Sequence, residues 1–457
     1  MAAETITPNN NKNLNMKLKT FILTMMLAGT GMLAGAQNTL PLSLDQCIRI
    51  ALSENPTVKV DSMEIERVDY SKKETLGQLF PQITATGQYT RNLAIQTIYM
   101  DAGDGETRAI KMGRDNTYAA GFQATIPIVM PTLWRSIKLK DNQILQNLEK
   151  ARATKLGLVN QVKNAYYALL LANDSKRVIE ASHATAQSHA TIYQKQFELG
   201  TASEYDVLRA NVAVTNLEPS ILEAENIIKQ LKLQLKLLMG MDVRQEIEPT
   251  ETLEQYKSTM YGRYLSTDTS LVKNTSLKAL DLQTDYLKKA VEVQKAAWIP
   301  TVTGTGNLMW NSMSMGNPLK NFQWTKSSAV GLTFSFPIFT GLQRVNKIKQ
   351  AQIQANEMRW QRENLERSLH VQVQSQMDNI NKSIKQIESN EGGVRQAEKA
   401  SDIMQKSFQI GAASFIQLLD TDDALLTARL SYYQAIYDYL VAESDLENVL
   451  GNTPYVN

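Results

Sequence analysis

The chain has 457 residues, with 48 Lys and Arg against 46 Asp and Glu, so it lacks the basic excess of a dedicated nucleic-acid binder. Its one cysteine, Cys47, excludes an intrachain disulfide and a cysteine-based zinc cluster. The three histidines, His183, His189 and His370, are scattered and share no i, i+4 spacing, so neither a metal nor another cofactor is expected.

In chain order, Met16-Lys17-Leu18-Lys19 brings positive charge, residues 21–33 form an apolar run, and Ala34-Gly35-Ala36 supplies small residues. That is the pattern of a secretory signal peptide, preceded by an extension over 1–15, with Gln37 as the mature start. The apolar run has 13 residues; a spanning helix needs roughly 20. No later segment holds 18 consecutive apolar residues, so no transmembrane helix is expected in the mature chain.

Residues 42–78 read as helix. Two strand-like segments follow, and then a proline-free stretch rich in Ala, Leu, Gln, Lys and Glu from about 133 to 199. Gly200 gives the first strong stop. Helices over 203–239 and 266–298 flank a polar stretch, 242–263. Two more strand-like segments lead into a second long helix, about 342–410, stopped by Gly411, and a last helix spans 414–450.

The order is written twice. Asn55, Pro81, Thr84 and Asn92 recur as Asn274, Pro300, Thr303 and Asn311 at an offset of 219. Gly121, Pro127 and Ile128 recur at 210, so the first copy carries nine more residues between its strands. At 211, Phe197-Glu198-Leu199-Gly200-Thr201-Ala202-Ser203 matches Phe408-Gln409-Ile410-Gly411-Ala412-Ala413-Ser414. The organisation expected is therefore leader and extension (1–36), first repeat (37–263) and second repeat (264–457).

Each long helix would reach roughly 100 Å at ~1.5 Å per residue, a length that suits a coiled-coil assembly rather than a globular core. Segments 203–239 and 266–298, stacked end to end, match one such length; 414–450 and 42–78 do the same. This predicts two continuous columns and two broken at mid-height, with 242–263 and Asn452-Thr453-Pro454 at the breaks. The strands alternate with period two. Ile83, Ala85, Gly87 and Tyr89 oppose Thr84, Thr86, Gln88 and Thr90. Tyr118, Ala120, Phe122, Ala124, Ile126 and Ile128 share a face, as do Val302, Gly304, Gly306, Leu308 and Trp310, and Val330, Leu332, Phe334, Phe336 and Ile338. An apolar face backed by a Thr/Gln/Ser face suits lipid on one side and water on the other. Four strands cannot close a barrel, so several copies must complete it, and three give twelve strands with a lumen.

Several passages resemble the TolC-like outer-membrane efflux protein family. They are Leu42-Ser43-Leu44 with Ala51-Leu52-Ser53-Glu54-Asn55-Pro56, Phe334-Ser335-Phe336-Pro337-Ile338-Phe339-Thr340-Gly341, and the two glycine-bearing tips. The resemblance implies a mostly α fold with a membrane β-barrel. A homotrimer would carry a twelve-strand barrel in outer-membrane lipid and a twelve-helix periplasmic tube. It implies a periplasmic adaptor and an inner-membrane pump of RND or ABC type as partners, docking at tips made of Phe197, Gly200, Thr201, Ala202 and Ser203, and of Phe408, Gly411, Ala412, Ala413 and Ser414. It places Asp420 and Gln417 at the pore constriction and Asp206 at a latch. Gln417 replaces a commonly acidic residue, which makes that ring less negative, and the latch's basic partner is missing near Ala413. Two other jobs fit part of the pattern: an outer-membrane duct of type I protein secretion, and a soluble periplasmic coiled-coil adaptor. No nucleophile elbow, P-loop or HExxH is present, so an enzyme is not expected.

Overall fold

The computed structural model describes residues 39–456 except 102, 104–105, 265–268, 319 and 321–322. The signal peptide read over 1–36 lies outside the described residues.

A short strand β1 (Leu40–Leu42) leads into helices α1 (Leu44–Glu54) and α2 (Pro56–Gly77). Strand β2 (Gln82–Arg91), a hairpin β3 (Thr97–Asp101) and β4 (Thr107–Lys111), and strand β5 (Asn116–Val129) come next. Helix α3 (Pro131–Glu198), α4 (Glu204–Met239), β6 (Ile247–Pro249) and α5 (Leu253–Tyr264) complete the first half. A 3-10 turn (Leu271–Lys273) opens the second, followed by α6 (Thr275–Ala296), β7 (Thr301–Ser314), β8 (Thr325–Ser335), α7 (Gln343–Gln409) and α8 (Phe415–Leu450).

The long helices α3 and α7 have 68 and 67 residues. Proline at the first turn of α3 suits a position whose N–H has no helical partner. Pro219 lies inside α4, and Gly392-Gly393 inside α7, without interrupting either helix. In α7, Val373, Ile380 and Ile387 are buried seven residues apart. That is the narrow seam of a coiled coil, and it leaves most of the helix surface uncovered within one chain.

The columns are broken in two, but the pieces stack differently from the sequence expectation. Segment 203–239 does not continue into 266–298, nor 414–450 into 42–78. Instead α4 ends against the start of α2, and α8 ends against the start of α6. At the first joint Asn55 caps α2 by accepting the Thr57 N–H at 2.8 Å, and its side-chain amide donates to the Leu238 carbonyl at 2.8 Å. At the second, Asn274 caps α6 through the Leu277 N–H and donates to the Val449 carbonyl. Gly240 and Gly451 end α4 and α8 with φ of +65° and +67°, which turns the chain aside so that another helix can abut. A Cβ on Gly240 would sit 2.7 Å from the Glu54 carbonyl oxygen, so the two helix ends nearly touch. Segment lengths are equal under either pairing, and only this joint chemistry separates them.

Each joint asparagine serves two helices at once. Asn55→Ala and Asn274→Ala should each cost about 1–2 kcal/mol from a lost cap and an unsatisfied carbonyl. Far apart in sequence and in separate joints, the two losses should add in urea unfolding followed by circular dichroism.

The stretch read as a polar break, 242–263, is a correction too. It folds as β6 and α5, because Ile247, Leu253 and Met260 are apolar anchors with at most 1% exposure. β6 pairs in parallel with β1, and α1 and α5 clasp the columns at mid-height. The largest hydrophobic core lies here, built from Cys47, Ile48, Tyr166, Leu170, Met239 and Tyr439 among others. Tyr166 donates to the Leu42 carbonyl at 3.0 Å, and the buried Asp174 accepts the Leu253 N–H at 3.1 Å. Lys257 on α5 reaches Glu391 on α7 at 2.9 Å, and that bond raises the lysine above its ordinary value. A belt of this kind fixes the coiled coils where their seams alone bury little.

Candidate functional site: an open sheet and paired helix tips

The four long strands form one antiparallel meander, β2-β5-β7-β8. Residues directly opposite one another share a face. The register aligns Ile83 with Ala124 and Gly306 with Val330, and it sets Ala85 beside Phe122 and Phe122 beside Leu308. It also aligns Val302 with Phe334 and Gly304 with Leu332. All four apolar sets therefore fall on one face. The other face carries rows such as Thr84, Gln123 and Asn307, and Thr125 and Thr305. One surface is thus fitted to hydrocarbon and the reverse to water. β8 stops at Ser335, short of Phe336 and Ile338, because Pro337 has no N–H for the ladder. At Pro127 the register slips in a bulge.

Aromatic rings mark the loop end of the apolar face. Tyr89 stacks on Tyr118 at 5.1 Å, Tyr118 meets Trp324 at 6.5 Å, and Phe122 meets Trp310 at 6.4 Å. From the Val302 row to the Ser312 row the strand runs ten residues. At ~3.4 Å per residue and a tilt near 40°, that is roughly 25 Å of height, the thickness of a barrel's apolar band. The nine additional residues of the first copy belong to the loop holding the β3–β4 hairpin, in which Ile98 faces Ile110.

Both edge strands are bare. β2 and β8 are exposed along their whole length, with Val330 93% and Leu332 75% accessible. An unpaired edge in hydrocarbon strands a row of N–H and C=O groups, each costing several kcal/mol. The sheet in one chain is therefore an incomplete object. The helices carry bare apolar positions as well, among them Leu208, Leu222 and Leu237 on α4 and Ile353, Trp360 and Val371 on α7.

At the opposite end the two tips are built alike. Gly200 and Gly411 take φ of +68° and +77°. The next residues, Thr201 and Ala412, each donate back to the carbonyl five residues earlier, Gln196 and Ser407, at 2.8 Å. Ser203 and Ser414 then start α4 and α8 with reciprocal capping boxes. The third residue of each box is a residue singled out from the sequence. Asp206 accepts the Ser203 N–H at 3.2 Å and its hydroxyl at 2.6 Å, and Gln417 accepts the Ser414 N–H at 2.9 Å. Phe197 is 43% exposed, whereas Phe408 is half-buried against Tyr193 and Phe415. Gly200, Thr201, Ser203, Gly411, Ala412 and Ser414 are exposed, and Ala202 and Ala413 are half-buried.

Asp420 is exposed on α8, three residues beyond Gln417. With Arg209, Asp422 and Asp423 it lines a cavity of about 260 Å³ between the hairpins. Packing there, and then the Asp420 and Asp422 charges, push the Asp423 carboxyl above its ordinary value. In the sequence His189 is one of three scattered histidines, with nothing near it in the chain to suggest a partner. The structure buries His189 to 5% exposure and sets its Nε2 3.1 Å from Asp422 Oδ2, while Ser401 donates to Asp422 Oδ1 at 3.1 Å. This contact joins α3, α7 and α8 close to the tips. Spacing could not have revealed it, since the partners lie in different halves. Among the described residues no His, Cys, Asp or Glu group could hold a metal, and no helix is long and apolar enough to cross a membrane.

The comparisons with known proteins fit this geometry. The family model "Outer membrane efflux protein" matches residues 47–241 and 267–452. The chain belongs to the outer membrane efflux protein family. It is 22% identical to the outer membrane protein TolC of Escherichia coli over 445 residues, spanning 95% of this chain and 86% of that one. It is also 22% identical to the alkaline protease secretion protein AprF of Pseudomonas aeruginosa, over 93% and 90% of the two chains. The outer membrane protein VceC of Vibrio cholerae superposes with a TM-score of 0.71 at 15% identity, covering 90% of this chain and 96% of that chain. As a member of the outer membrane efflux protein family the chain is an outer-membrane export duct with the TolC fold, a helical barrel continued by β-strands. Its relatives are channel proteins, not enzymes. Family membership and the open, one-side-apolar sheet set aside the soluble-adaptor reading.

Proposed function

We propose that three copies of this chain assemble into the exit duct of a tripartite efflux pump. The observation that carries the reading is the four-stranded sheet, apolar on one face and bare at both edges. Three such sheets give twelve strands, each bare β8 pairing with the next copy's β2 and the apolar face lying against outer-membrane lipid. The helices then form a periplasmic tube, and small molecules leave through its lumen.

The tips meet the partners. Phe197, Gly200, Thr201, Ala202 and Ser203, with Phe408, Gly411, Ala412, Ala413 and Ser414, form the docking surface for a periplasmic adaptor that couples the duct to an inner-membrane pump of RND or ABC type. Asp420 and Gln417 line the constriction, where three carboxylates about one axis would attract cations. Asp206 helps hold the closed tip by completing the capping box of α4, and the His189–Asp422 contact ties the two hairpins. A type I secretion duct is the second reading, favoured by the likeness to a protease secretion protein.

Single-channel recording in planar bilayers tests the pore assignment. Asp420→Ala should weaken block by divalent and polyvalent cations on the tip side by about tenfold or more, since it removes the whole ring of three carboxylates. Block identical to the parent channel would remove Asp420 from the constriction.

A further inference from the structure

Two cations stand on the apolar face of the sheet, and neither has a counterion among the described residues. Arg91 continues the row of Ile83, Ala85, Gly87 and Tyr89 at the loop end of β2, opposite Asn116. Lys326 precedes Ser328, Val330, Leu332 and Phe334 on the same face of β8, opposite Trp310. Both side chains are exposed, and among the described residues no acidic side chain lies within ion-pair reach of either. The nearest acid in sequence to the Arg91 row, Asp115, turns its Oδ2 to the Gly316 N–H at 2.9 Å.

Their level on the sheet is informative. Lys326 lies opposite Trp310, eight residues along β7 from Val302. That places it roughly 20 Å above the lower margin of the band and within one lysine side chain of its upper margin. Rings surround the level: Trp310 beside Lys326, Tyr89 two residues below Arg91 on the same face, and Trp324 against Tyr118. A charge facing lipid in the middle of the band is costly, and only near the interface does the cost fall away. A cation held at that level with no protein partner among the described residues is available to an anion at the membrane surface. Arg91 and Lys326 also belong to the two bare edge strands, at the same end of each. In a closed wall of several copies they therefore flank every seam.

We propose that the lipid-facing rim at each seam binds the phosphate of an anionic lipid headgroup, through Arg91 of one copy and Lys326 of the next. Arginine offers a planar fork for two phosphate oxygens and lysine a point charge, while the neighbouring rings pack on the upper acyl chain. Such a lipid would staple the membrane part of the joint beside its strand pairing. The inference rests on the assembled-channel reading above.

The test uses the full-length assembled protein in phosphatidylcholine nanodiscs, with bisphosphorylated lipid A added as probe and counted by native mass spectrometry. The expected result is retained lipid A, with apparent affinity falling about tenfold in Arg91→Gln and in Lys326→Gln and further in the double variant. Equal retention by the double variant, or by dephosphorylated lipid A, overturns the proposal. Full displacement by inorganic phosphate at matched concentration overturns the lipid as source and leaves a plain anion site. Conductance of the same preparations reports on the channel reading separately: a conducting double variant without lipid A is the supporting outcome, and a protein that never assembles points to failure of the channel itself.

Discussion

Gly451→Ala should destabilise the protein by about 3 kcal/mol, more than any conservative change on the exposed helix surfaces. Its φ of +67° already costs an L-residue roughly 1–2 kcal/mol. The added Cβ would also overlap the Lys273 carbonyl, so the joint between α8 and α6 must open. Opening withdraws the Asn274 amide from the Val449 carbonyl, which leaves both without partners at a packed junction. Gly240→Ala at the matching joint should cost somewhat less, since its nearest approach, 2.7 Å, is milder. Gly392→Ala is the control, a helix-interior glycine with open space around it, and should stabilise by about 0.5–1 kcal/mol. Thermal unfolding in detergent, read at the helical circular dichroism band, ranks the three. A Gly451→Ala protein melting with the parent would mean that the abutted joint does not carry the column.

Leu332→Lys should empty the outer membrane of this protein, and Thr333→Lys should not. The two residues are neighbours on β8 but face opposite ways, Leu332 opposite Gly304 and Thr333 opposite Thr303. Opposite Gly304, two residues inside the Val302 row, a lipid-facing lysine bears part of the roughly 2–4 kcal/mol that the middle of the band would cost, and in the proposed trimer that cost is met three times. The same lysine on the Thr face enters water and costs little, though it should alter ion selectivity by adding a ring of positive charge. Quantifying both variants in purified outer membranes, beside the conductance of the second, checks the assignment of faces. Loss of the Thr333 variant with retention of the Leu332 variant would invert it.

Much of this architecture is legible in the sequence because its signals are local. The stops at Gly200 and Gly411 and the proline-free helix runs place the ends of α3 and α7 within a residue or two. Period-two alternation places the strands, since a one-residue slip would move every side chain to the wrong face. Stacking of the half-columns is not legible in that way. Segment lengths match under either pairing, and Asn55 and Asn274 look like repeat markers until their amides are seen reaching the ends of α4 and α8. The belt was hidden for a different reason: Ile247, Leu253 and Met260 are too sparse among polar residues to show a period, yet all three are buried. At the tips, Ser203 with Asp206 and Ser414 with Gln417 follow the capping-box spacing and could have been read directly. The His189–Asp422 contact could not, because it exists only once the two hairpins are side by side.

Oligomeric mass in detergent tests the central claim most directly. One chain presents a sheet with two unpaired edges and one lipid-fitted face, so purified mature protein should require detergent and run as three copies of the chain by light scattering corrected for bound detergent. A lone subunit, or a protein that stays dispersed in plain buffer, would contradict the account.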